Sequence, residues 1–228
     1  MKKAFISILL LLILFLCNRS EVDFSYHFLW EQNPIRGKIA SEGEYWLEKI
    51  ILVPDDALEI GDIKSVAHSI GQLPPSLLEK IWNHRVYIKL FTGPLTDQEE
   101  ARHLSGFTPR GYRNQETTWD QVPGMGGGHR VLIQIGEGKK KHGSVNLELH
   151  ELAHSIDKIV FGKIRDDALF LAIWKKEAKG IFGDTQYFLN YPEEFFAESF
   201  AMFYVNMETR RMLKEKGPLT YAYIENLQ

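Results

Sequence analysis

The chain has 228 residues and a formal net charge of −3, with 44% hydrophobic and 25% charged residues. That length supports one substantial core or two closely packed lobes. The mild acidity, with a pI near 6.3, leaves no electrostatic case for a nucleic-acid partner, and the basic run Lys139-Lys140-Lys141-His142 reads as a solvated loop.

Lys2 and Lys3 precede an apolar run from Ala4 to Cys17. A positive start followed by an apolar stretch too short for a comfortable membrane span has the form of a secretion signal. Residues 1–20 are therefore expected to be a signal peptide and the protein to be secreted, with a retained N-terminal membrane tether at the cell surface as the alternative. Cys17 is the only cysteine, so the mature chain has no disulfide and no cysteine nucleophile. Leu16 is a poor neighbour for a lipidated cysteine.

Residues 20–40 are polar and read as a leader or edge element. Tyr45, Leu47, Ile50 and Ile51 give residues 44–52 a weak helical pattern. Residues 55–70 and 75–83 read as helices, separated by Gly71 and Pro74. Residues 86–91 and 130–135 read as strands, and the glycine- and proline-rich stretch 105–129 mostly as loops. The remainder is helical in pattern, over 144–161, about 166–180, about 192–206 and a short terminal pair. This arrangement predicts an α+β fold, a small twisted sheet with helices followed by a helical C-terminal lobe.

The helix over 144–161 carries the decisive motif, His150-Glu151-Leu152-Ala153-His154. Ser144 offers an N-cap and Gly162 a stop. Val145, Leu149, Leu152, Ile156, Ile159 and Val160 form the expected buried stripe. His150 and His154 fall on another face, four residues apart, so both imidazoles can reach one ion. Glu151 then faces a water activated by that ion, the H-E-x-x-H arrangement of zinc peptidases. Alone the pattern also fits a pair of exposed surface histidines. Asp157, one turn past His154, is either a hydrogen-bond partner behind a liganding histidine or simply exposed.

Zinc needs a third protein ligand and an open fourth position. In the run Tyr191 to Ala201, Pro192 suits a first helical turn and Phe195, Phe196, Phe200 and Phe203 suit a buried face. Glu194 and Glu198 share a side of that helix, so one carboxylate can bind the metal while the other orients a histidine. The competing reading is a solvated acidic edge.

With these blocks, Thr118-Trp119-Asp120-Gln121-Val122-Pro123-Gly124, Val131 to Gly136, Asn146 to Asp157 and Tyr191 to Ala201, the sequence resembles the secreted metallopeptidases of the anthrax-lethal-factor type. Within that family it is most similar to the small bacterial Pro-Pro endopeptidases. The resemblance is close over about the C-terminal half of the chain. It implies a zincin-like fold, a Zn2+ ion held by His150, His154 and Glu194, Glu151 as general base and Tyr187 as oxyanion donor. It further implies Glu198 behind a ligand, and Trp119, Glu193 and the glycines Gly126, Gly127 and Gly128 along the substrate cleft. Such relatives have a basic residue two positions before the tryptophan, where this chain has Thr117.

The expectation is one metallopeptidase domain over 21–228, with an N-terminal lobe of about 21–142, a zinc-binding lobe of about 143–228 and the active-site cleft between them. Residues 130–135 are the strand expected to pair with an extended substrate. The expected protein is a monomeric secreted zinc endopeptidase with one zinc per chain, cleaving Pro-Pro bonds in proline-rich extended segments of bacterial surface proteins. The alternatives are a lethal-factor-like protease with another cleavage rule and a noncatalytic module stapled by zinc.

Overall fold

The computed structural model describes residues 26–28, 44–55, 57–111, 117–136 and 142–227. The expected signal segment with Cys17, and Lys139 to Lys141 of the basic run, lie outside the described residues. Among the described residues five strands form one mixed sheet in the order β1-β2-β3-β5-β4: β1 (Tyr26–Phe28), β2 (Ile51–Pro54), β3 (Tyr87–Phe91), β4 (Gly124–Met125) and β5 (Arg130–Gln134). β2, β3 and β5 run parallel, and β1 and β4 close the two edges antiparallel. Helices α1 (Glu44–Ile50), α2 (Ile60–Ile70) and α3 (Pro75–Asn83) accompany the first strands. The C-terminal half is helical: α4 (Leu147–Ser155), α5 (Ala168–Phe182), α6 (Gln186–Asn190), α7 (Pro192–Val205), α8 (Met207–Lys216) and α9 (Pro218–Glu225). Among the described residues no helix is long and apolar enough to cross a membrane.

The strand period of two sorts the core. Val131, Ile133 and Ile135 face the main core with Ile88 and Leu90, while Leu132 and Phe91 face a smaller cluster with Leu95, Ala101 and Val122. Ile51, Leu52 and Val53 form β2 rather than the tail of a helix. Such a short, continuous apolar run has no period of its own, and pairing on both sides decides it. Residues 57–59 stay outside α2, which starts only at Ile60.

The expected substrate strand is corrected here. β5 lies inside the sheet, hydrogen-bonded to β3 on one side and β4 on the other, so it has no free edge. The edge beside α4 is the two-residue β4.

α4 begins three residues later than the sequence predicted. Asn146 is its N-cap, with the side-chain oxygen accepting from Leu149 N at 2.8 Å. Ser144 instead braces the cap, its hydroxyl lying 2.8 Å from Asn146 O and 3.0 Å from Asn146 N. Val145, outside the helix, is exposed and not part of the buried stripe. After Ser155 the helix widens into a π-turn over Ile156–Val160, where Phe161 N donates to Ile156 O at 3.0 Å, and Gly162 at φ +65° ends it.

α7 packs along α4. Its Phe195, Phe196, Phe200 and Phe203 are buried, and so are Glu193, Glu194 and Glu198. That rules out the solvated acidic edge. Buried carboxylates need specific partners, and those partners lie in the cleft.

Candidate active site

α4 and α7 bring three side chains to one point. His150 Nε2 and His154 Nε2 each lie 3.4 Å from Glu194 Oε2, and one ligand atom from each residue lies within 4.8 Å of the others. Donors held tetrahedrally at about 2.0–2.1 Å from a metal ion stand about 3.3–3.4 Å apart. Glu194 Oε2 is buried and has no hydrogen-bond partner of acceptable geometry among the described residues. A buried, unsatisfied carboxylate oxygen between two imidazoles fits a cation at the centre.

The partners behind this trio are in place. His150 Nδ1 lies 2.9 Å from Glu198 Oε2, and the other oxygen of Glu198 accepts from Val145 N at 2.9 Å. A carboxylate on Nδ1 leaves Nε2 to face the ion. Burial disfavours a charged His150, but the Glu194 and Glu198 carboxylates outweigh it and raise its pKa to about 10. Burial likewise works against ionised Glu194, and the two histidines overcome it, holding that carboxyl well below its usual range. A cation can take the place of the proton this cluster attracts.

Glu151 points into the same cleft, a cavity of about 880 Å³. Its side chain passes Gly124 of the edge strand, where an added Cβ would press on Glu151 Cγ at 3.0 Å. A Cβ on Gly126 would overlap the Glu151 carbonyl, so only glycine lets this loop lie so close to α4. Ser155 ties the loop down: its hydroxyl donates to Gly128 O at 2.8 Å and accepts from Gly127 N at 3.0 Å. Gly126 and Gly127 line the cleft, while Gly128 takes part through this tie. His142, a residue the sequence reading placed in a solvated run, lines the cleft as well. Its Nε2 is 3.6 Å from Glu151 Oε1, and burial lowers its pKa below the ordinary histidine value.

Tyr187, on α6, also lines the cleft. Burial, and then the Glu194 carboxylate it faces, push its phenol pKa well up, so the group stays a proton donor. Its ring also packs edge-on against Phe188 and Tyr191, each 5.6 Å away between centroids, and Phe188 in turn lies 4.2 Å from Phe182. Glu193 is bound within the protein by Arg110 at 2.5 Å, with Arg165 at 3.9 Å. Thr117 therefore leaves no unpaired carboxylate behind, because two arginines that sequence reading missed supply the charge. Asp157 is fully buried and holds Arg165 rather than a histidine, accepting from its backbone N at 2.8 Å and Nε at 2.5 Å. The reading of Asp157 as an exposed residue or a histidine partner is thus corrected, since Arg165 takes up its buried carboxylate.

Trp119 forms one wall of the cleft and packs on the small Phe91–Leu132 cluster. Its neighbour Asp120 pins the segment, accepting from Thr96 Oγ1 at 2.5 Å, Thr118 Oγ1 at 2.7 Å, Ser105 Oγ at 2.9 Å and Gly106 N at 2.9 Å.

Comparison with known proteins identifies the family. Residues 38–227 match the family model described as "Anthrax toxin lethal factor, N- and C-terminal domain". The chain belongs to this family. It is 38% identical over 183 residues to a Pro-Pro endopeptidase of Clostridioides difficile strain 630, spanning 79% of this chain and 82% of that protein. It is 33% identical over 184 residues to a Pro-Pro endopeptidase of Paenibacillus alvei, spanning 79% and 84%. The solved structure of a Pro-Pro endopeptidase from Paenibacillus alvei superposes with a TM-score of 0.73 at 32% identity, covering 80% of this chain and 100% of that one. The fold of this family member is thus α+β and zincin-like. Arg110, Arg165 and His142 escaped sequence reading because isolated basic residues in loops carry no period; the Pro109-Arg110-Gly111 turn was the available signal.

Proposed function

We propose that this peptidase is a secreted zinc endopeptidase that hydrolyses the bond between two prolines in extended segments of proteins, bacterial surface proteins among them. The observation that carries the reading is Glu194 Oε2, buried and unsatisfied between two imidazoles, with Glu151 beside them. His150, His154 and Glu194 would hold one zinc per chain, Glu198 would fix the tautomer of His150, and the fourth position would stay open to the cleft. Bound there, zinc would polarise a carbonyl and lower the pKa of a water.

In this mechanism Glu151 accepts the proton of the attacking water and delivers it to the leaving nitrogen. Tyr187 donates its phenolic hydrogen to the oxygen that becomes negative in the transition state, and its raised pKa keeps that hydrogen in place. A structural zinc site is normally closed by four protein ligands. Three ligands with a carboxylate and a phenol turned into an open cleft favour catalysis over a zinc staple.

The Pro-Pro preference rests on the relatives at 38% and 33% identity. Its physical logic is shape. Proline has no N–H to offer β4, so an apolar wall at Trp119 and close backbone at Gly126 and Gly127 must select the substrate. The cleft would lie between an N-terminal lobe of about 21–142 and a C-terminal lobe of about 143–228, in a monomer. Export rests on the pattern of residues 1–20.

A peptide library varying both positions around the scissile bond, run with and without chelator, tests this reading. Chelator-sensitive cleavage confined to peptides with proline on both sides is expected. Strong turnover of peptides lacking either proline would contradict the preference and favour a protease with another cleavage rule.

A further inference from the structure

Glu194 has two oxygens in different settings. Oε2 faces both imidazoles, each 3.4 Å away, while Oε1 faces Arg110 Nη2 at 3.5 Å. The same Nη2 lies 2.5 Å from Glu193 Oε1, and the guanidinium lies over the Tyr191 ring, 4.1 Å from its centroid. Arg110 thus contacts three residues at the start of α7, Tyr191 at its N-cap and Glu193 and Glu194 in its first turn. The next residue, Gly111, has φ +88°, and a Cβ there would overlap the ring of Tyr187. Its backbone rests on that ring as only glycine allows. Two neighbouring residues of one loop therefore touch a candidate ligand and the candidate oxyanion donor.

Charge gives the contact a purpose. Glu151, Glu193, Glu194 and Glu198 all line the cleft, against Arg110, Lys158 and Arg165 among the described lining residues. Glu194 must present one oxygen to the ion without swinging its second oxygen toward it. A planar guanidinium is suited to holding that second oxygen, because its geometry is fixed and it is always charged. Arg110 is 54% exposed in its side chain, so as a plain surface ion pair it would contribute little to stability. Its value lies in orientation.

We propose that Arg110 is a positioning residue that fixes the outer oxygen of Glu194, leaves Oε2 to the metal, and carries Gly111 against Tyr187, so that one loop sets both the third ligand and the phenol. This inference rests on the zinc-peptidase reading for its kinetic consequence, while its metal-binding consequence stands apart from activity.

The test compares Arg110→Ala, Arg110→Gln and Arg110→Lys with the unaltered protein. Zinc affinity is measured with zinc alone against a competing chromophoric chelator, fold by circular dichroism and thermal melting, and kinetics with a Pro-Pro peptide. Loss of a partner behind a ligand typically weakens metal binding about 10–100-fold. Arg110→Ala and Arg110→Gln are expected to weaken zinc binding at least about tenfold with an unchanged spectrum. They should lower kcat more than they raise KM, and Arg110→Lys should recover part of both. Zinc affinity equal to the unaltered protein in Arg110→Gln would overturn the proposal, whatever the activity. If the unaltered protein binds zinc but cleaves no peptide, the peptidase reading fails while the affinity comparison still judges Arg110.

Discussion

The two walls of the cleft are built differently. One wall comes from α4 and α7, regular helices that deliver His150, Glu151, His154, Glu194 and Glu198 from buried or nearly buried positions. The other comes from irregular chain: the Pro109-Arg110-Gly111 turn, Trp119 with its short 3-10 turn, the two-residue β4, the glycine loop and His142. A metal site and a general base need side chains held to fractions of an ångström, which packed helices provide. A substrate wall needs shape, which loops on a rigid scaffold can vary without disturbing the chemistry. The helical wall, together with the Arg110-Gly111 turn that touches Glu194 and Tyr187, should therefore govern turnover, and the rest of the loop wall recognition.

Substitutions on each side can break that division. The largest effect is expected from Glu151→Ala, which should cut kcat by about 10²–10⁴-fold while zinc content and circular dichroism stay unchanged. Turnover surviving in this variant would remove Glu151 as the base. Tyr187→Phe deletes only the hydroxyl; steady-state kinetics should show kcat falling about 10²–10³-fold with KM nearly constant. A rise in KM alone would move Tyr187 from the chemistry to the recognition wall. The smallest effect belongs to the loops. Trp119→Ala should raise KM about tenfold, the equivalent of roughly 1.4 kcal/mol of lost contact, with kcat largely kept. A collapse of kcat in a folded Trp119→Ala protein would show that the two walls do not divide their tasks.

The same contrast explains what could be read from the sequence. The helical wall was legible because its residues repeat every three to four positions: His150 with His154, Glu194 with Glu198, and the phenylalanines of α7 behind them. Even there, local chemistry shifted details. Asn146 took the cap from Ser144, and Asp157, inside the π-turn, binds Arg165. The sheet was legible where a strand stood apart, as in β3 and β5. β2 was missed because it follows α1 without a break, and β4 because two residues carry no alternation. Misreading β5 as the free edge had the same cause, since only the pairing with β4 takes its edge away. On the loop wall Trp119 and the glycines were found through family resemblance. The arginines were not, because their partners lie far along the chain, Glu193 being 83 residues from Arg110.

Zinc-edge X-ray absorption on the purified, zinc-loaded protein addresses the metal centre most directly. Two imidazole nitrogens, one carboxylate oxygen and one exchangeable light-atom ligand at about 2.0–2.1 Å are expected, and Glu194→Ala should lose the carboxylate and most of the bound zinc. A spectrum requiring four protein ligands, or one left unchanged by Glu194→Ala, would contradict an open catalytic site built from α4 and α7.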